Sequence, residues 1–116
     1  MKLETIFEIV RTLNGSIKAL FYHNLSINLT IAQRVVWSDD TITNEDKISR
    51  MKWINEIQHS VLNIYLDIHN GRIIDDKESL WHDIKLYVKE DKNIIEIVGY
   101  AIELSYEKIN RLPGSM

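Results

Sequence analysis

The stretch "WINEIQHSVLNIYLDIHNG", Trp53 to Gly71, decides the fold class. Ile54, Ile57, Val61, Ile64 and Ile68 follow one another at steps of three and four. On a helix those steps draw a single apolar stripe, while Asn55, Glu56, His59 and Asn63 fall on the polar side. Isoleucine and valine favour strands by propensity. Strict two-residue alternation, however, nowhere persists for more than a few positions. Asn70-Gly71 ends the pattern, because glycine takes the left-handed conformation that closes a helix at little cost. At the other end, Thr43 with Asp46 three residues later forms a capping box with Asp in place of the usual Glu.

Working outward, one proline and four glycines leave long helices unobstructed. Leu3, Ile6, Phe7, Val10 and Leu13, continued by Ile17, Leu20 and Phe21, predict a helix from about 2 to 22, kinked or broken at Asn14-Gly15-Ser16. Ser26 is the candidate cap of a second helix, with Leu29, Ala32, Val35 and Val36 as its apolar positions and its end near Trp37. Ser38 to Asn44 reads as a loop. Beyond Gly71, Asp75, Asp76 and Glu78 suit the start of a fourth helix, where the macrodipole favours negative charge. Leu80, Trp81, Ile84, Tyr87 and Val88 are its expected inner face. Asn93 and Glu96 make a capping pattern before a fifth helix, whose Ile94, Ile95, Ile97, Val98, Ala101, Ile102, Leu104 and Ile109 cover more than half its circumference. Such width predicts a central position. "GRIID", residues 71–75, is the one candidate for extended chain. The expectation is an all-α, compact bundle of four to five helices in a single domain spanning 1–116.

Composition narrows the function. The chain carries 14 Lys and Arg against 17 Asp and Glu, a net charge of −3, with no basic run. Nucleic-acid binding needs clustered cations, so no nucleic-acid partner is expected. "SINLTIAQRVVWSDDTITNEDKISRMKW" has the outline of a helix-turn-helix. Glu45 and Asp46 would stand where a recognition helix presents bases, and DNA would repel them. No apolar run reaches 18 residues, which predicts no membrane span. Glu4, Glu8 and Arg11 interrupt the stretch that a signal peptide would need. The absence of cysteine excludes disulfides, thiol catalysis and cysteine-bound zinc. A cytoplasmic protein fits all of this.

Few residues are arranged for catalytic chemistry. Glu56-x-x-His59 has the spacing of carboxylate-bridged di-metal bundles, but such a site needs a second pair and two more glutamates. No second E-x-x-H exists in the chain. A pair on the helix surface, or a buried hydrogen-bonded histidine, explains these residues without a metal. The serines fall at caps or on polar faces, outside any nucleophile elbow. No two glycines lie close enough to cradle a phosphate. The expectation is a non-enzyme with no cofactor and no metal; a small metal-dependent enzyme centred on Glu56 and His59 is the contrary reading.

The acidic connection remains. Asp39, Asp40, Glu45 and Asp46 bring four carboxylates into the nine residues from Ser38 to Asp46 without a Lys or Arg, and Trp37 stands beside them. Loop solvation and helix-start acids account for the charges in one reading. In the other they form a docking surface, since fixed negative charge speeds encounter with a basic partner and an indole adds buried area. Trp37 is a candidate anchor or a core residue. Trp53 and Trp81 are expected in the core or at its boundary.

The span "VVWSDDTITNEDKISRMKWINEIQHSVLN", with its tryptophan, acidic loop and "KWINEIQH" helix, resembles a segment of small helical immunity proteins from bacterial contact-dependent growth inhibition systems. The resemblance covers about a quarter of the chain. It implies a cytoplasmic inhibitor that binds one cognate toxin domain, often a basic nuclease, with no catalytic residue or cofactor of its own. Under that implication Trp37, Asp39, Asp40, Glu45, Asp46, Glu56 and His59 are the partner-binding residues, with the acids pairing toxin Lys or Arg. A helical adaptor binding another protein, or a homodimer joined through a leftover apolar stripe, is the alternative.

Overall fold

Apolar spacing, caps and one left-handed glycine divide the chain into five helices in the computed structural model, which describes residues 2–72, 80–90 and 93–111, with backbone alone at 87, 88 and 90. The helices are α1 (Leu3–Arg11), α2 (Gly15–Trp37), α3 (Asn44–His69), α4 (His82–Glu90) and α5 (Asn93–Asn110). Among the described residues there is no strand. The class is all-α. The molecule measures 44 × 25 × 24 Å, and its long axis matches α3, whose 26 residues span about 39 Å at 1.5 Å per residue.

The first boundary differs from the sequence expectation. The chain breaks fully at Asn14, whose side-chain oxygen accepts the Ile17 N–H at 3.0 Å and caps a new helix. That helix then runs through Ser26 without interruption. No glycine or proline lies between Ser16 and Trp37 to stop it, and the Ser26 carbonyl instead accepts from Gln58 across to α3. The predicted 2–22 helix is thus divided at the turn, and Ser26 caps nothing.

The α3 stripe is realised: Ile54, Ile57, Val61 and Ile64 are buried and Ile68 partly so. Thr43 Oγ1 accepts the Asp46 N–H at 3.1 Å, satisfying one of the helix's orphan donors. At the far end Gly71 takes φ +78°. Its N–H donates to Ile68 O and that of Arg72 to Asp67 O, at 3.0 and 2.8 Å, the paired bonds of a Schellman cap. Arg72 Nη1 also meets Asp67 Oδ1 at 2.8 Å; the pair is largely exposed and adds little.

α2 and α3 share the broadest contact, and α5 touches each of the other four helices, the central place its wide apolar face predicts. Its buried side is narrower than expected. Ile94, Val98, Ala101, Ile102 and Ile109 are buried, Ile95 and Ile97 partly so, and Leu104 is exposed. α1 closes one end: Phe7 meets Phe21 edge-on at 6.3 Å between ring centroids and Trp81 at 5.9 Å. A Cβ on Gly99 would stand 3.3 Å from Leu3 Cδ1, so the glycine lets α1 lie close against α5. Trp53 and Trp81 are partly buried against the core, at the boundary expected of them. Within the core Asn24 is 4% exposed, and its Nδ2 has no hydrogen-bond partner among the described residues.

A polar bridge links α2 and α3. Gln58 Nε2 donates to Ser26 O at 2.8 Å and to Thr30 Oγ1 at 2.6 Å, while its Oε1 accepts from Gln33 Nε2 at 3.0 Å. Gln58→Met keeps the volume and removes every bond, so a loss of about 1–2 kcal/mol is expected. Urea denaturation measures it, and an unchanged midpoint would mean that the bridge contributes nothing net.

The acids at 75, 76 and 78, the 73–75 part of "GRIID", the side chains of Tyr87 and Val88, and Leu112-Pro113-Gly114 lie outside the described residues. Among the described residues no helix is long and apolar enough to cross a membrane.

Candidate partner-docking surface

One residue is 100° of helix rotation, and that step separates the end of α2 into an inner and an outer side. Val36 is 3% exposed, whereas Trp37 is 60% and Val35 64% exposed. Trp37 therefore stands at the surface, and Val35 is corrected from an inward position to an outward one.

The loop from Ser38 to Thr43 is built around Asp39. Its Oδ1 accepts the Thr41 N–H at 2.9 Å and the Thr41 hydroxyl, an Asx turn that reverses the chain between α2 and α3. These two bonds, the hydroxyl first, hold the Asp39 carboxyl below its ordinary pKa; Lys47 and Arg50 lower it further by smaller amounts. Because the folded value is lowered, any stability from this carboxylate is complete above the ordinary Asp range near pH 4 and lost as pH falls through the lowered value. At neutral pH Asp39 is charged.

Asp40, Glu45 and Asp46 are exposed. Glu45 and Asp46 occupy the first turn of α3, where the helix dipole favours them. Their neighbourhood is less purely negative than the sequence suggests. Lys47 Nζ lies 5.9 Å from the Trp37 ring centroid, close enough for a cation–π contact, and Lys47 and Arg50 both act on Asp39. Residues just beyond the acidic run fold back onto it.

Glu56 and His59 are both exposed on α3. Ten residues separate Asp46 from Glu56, about 15 Å along the helix. Gln58 faces α2, while Ser60, on the Glu56 side, donates to Asp83 Oδ2 of α4 at 3.2 Å. The structure thus gathers Trp37, Asp39, Asp40, Glu45 and Asp46 at one end of the α2–α3 pair and places Glu56 and His59 elsewhere. Among the described residues no group of three or more His, Asp and Glu could hold a metal. His23 and His69 flank the Tyr65 ring at 5.7 and 6.1 Å, two imidazoles without a third ligand.

A second surface escapes a reading by motif. Ile31, Ala32 and Val35 of α2 and Ile97, Tyr100 and Leu104 of α5 line an apolar groove. Tyr100 is 66% exposed. The signal was present as Ile27, Ile31 and Val35 at steps of four, alongside the buried row Phe21, Leu25 and Leu29. Compared with protein-family models, curated proteins and solved structures, the chain matches none.

Proposed function

We propose that this chain is an immunity protein that neutralises a cognate basic toxin domain, a nuclease, by direct protein–protein contact. The observation that carries the reading is the 60% exposed indole of Trp37 beside the carboxylates of Asp39, Asp40, Glu45 and Asp46. An exposed tryptophan supplies buried area once a partner covers it, and fixed negative charge steers a cationic domain toward it. Trp37 and the four acids form the proposed contact, and Glu56 and His59, set apart on α3, lie outside it. The role requires no catalytic residue and no cofactor.

Co-expression with the product of the adjacent upstream gene tests the pairing: the two are expected to co-purify, and a product that does not bind this chain would count against the toxin reading. Association kinetics then test the surface. Asp39 holds the turn through Thr41, so Asp40→Lys with Glu45→Lys is the cleaner reversal. It should slow association about tenfold at low salt while the helical circular dichroism is retained. An unchanged rate at low salt would remove the loop from the contact. The adaptor reading draws on the apolar groove between α2 and α5, which is suited to a protein partner of any function.

A further inference from the structure

We infer that the groove between α2 and α5 seats an amphipathic helical segment of the partner, apolar on its inner side and carrying Lys or Arg on its flanks. The inference rests on the protein-binding reading above and extends its footprint from the loop along the bundle.

The groove has defined ends. Asn28 Nδ2 donates to Ser105 Oγ at 2.9 Å, which ties the helices together at one end. From there the walls run through Ile31 and Val35 on α2 and back through Tyr100 and Glu96 on α5, so the two helices are antiparallel. Beyond Val35 the same surface continues past Arg34 and Ser38 to Asp39. The groove is therefore continuous with the Asp39 side of the acidic loop.

Apolar side chains exposed side by side form a surface that a protein contact would bury. The valley between two antiparallel helices suits a third helix, whose side chains at steps of three and four fill it. Charge selects the occupant. Glu96, Tyr100, Glu103 and Glu107 are exposed at steps of four, three and four, which sets three glutamates along one outward stripe of α5. Asp39 adds negative charge at the loop end, and these four acids outnumber the two cations on the same side, Arg34 at the loop end and exposed Lys108 one turn beyond Leu104. A second copy joined by a two-fold axis running across the groove would bring the glutamate stripe against its own image, and like charges would oppose that pairing. A flanking row of Lys or Arg meets the same stripe favourably.

The test titrates the full chain with an 18-residue helical peptide of leucine and lysine, and with its leucine–glutamate counterpart, by calorimetry. The leucine–lysine peptide is expected to bind one to one, at least tenfold more tightly than its counterpart. Val35→Ser with Tyr100→Ser, which alters no charge, should weaken binding tenfold or more. Leu62→Ser with Leu66→Ser, at exposed positions of α3, should change it less than twofold. Circular dichroism establishes that both variants fold. Equal weakening by the two pairs, or none from the groove pair, overturns the inference. So does a dimer in sedimentation that the groove pair dissolves. Failure of the toxin to co-purify would remove the toxin reading alone, since the peptide titration decides the groove independently. Toxin capture that depends on the loop but not on Val35 and Tyr100 would remove the groove alone.

Discussion

Replacing Phe7 with alanine is expected to cost about 3–5 kcal/mol. Phe7 is 1% exposed, and its ring lies against Phe21 and Trp81, so truncation empties a space bounded by side chains from two other parts of the fold. The effect is amplified by where it occurs. α1 has nine residues, fewer than the roughly 12–15 a helix needs to persist alone in water. Its helicity therefore depends on Ile6, Phe7 and Val10 being held by the rest of the bundle. Against a total stability of roughly 5–15 kcal/mol for a native domain, the loss is large. Urea denaturation with a fitted slope measures it. Hydrogen exchange should show protection lost first across residues 3–11. A loss under 1 kcal/mol would contradict the burial of this ring.

Ile57→Ala is expected to cost about 2–5 kcal/mol. The residue is fully buried in the middle of the α3 stripe, with long helix on both sides to hold the backbone in place. The cavity consequently has little freedom to collapse. Leu62→Ala on the same helix, at a position 42% exposed, provides the contrast and should stay within about 0.5 kcal/mol. Equal effects at the two positions would mean that the stripe does not face the core.

These two sites differ in how openly the sequence displayed them. The α3 stripe was legible because alternating steps of three and four admit one face only, and Thr43 and Gly71 marked its limits by their own chemistry. The α1–α2 boundary was misplaced because Ser26 has the side chain of a cap but sits where nothing interrupts the helix. Asn14, which does cap, was visible only as part of a suspected kink. Trp37 stayed ambiguous for a geometric reason: adjacent residues at a helix end differ by 100°, and periodicity over Val35, Val36 and Trp37 does not fix which one points inward. The groove was hidden differently. Ile31 and Val35 look like core when a helix is read alone, and only the position of α5 shows that they border a valley. The contribution of Lys47 and Arg50 to the field at Asp39 likewise depends on the turn, not on adjacency in the chain.

The Gln58 bridge has a consequence for the alignment of the longest helix pair. Rows of isoleucine, leucine and valine attract one another almost equally well after a shift of one helical turn, 5.4 Å along the axis, because dispersion and water exclusion carry no direction. The amide does. Such a slide would pull Gln58 away from Ser26, Thr30 and Gln33 together and strand a half-buried donor and acceptor between two greasy surfaces. One side chain thus makes the native alignment of α2 against α3 distinguishable from its near-equivalents. The Trp37 end and the groove-forming side of α2 inherit their positions from that choice.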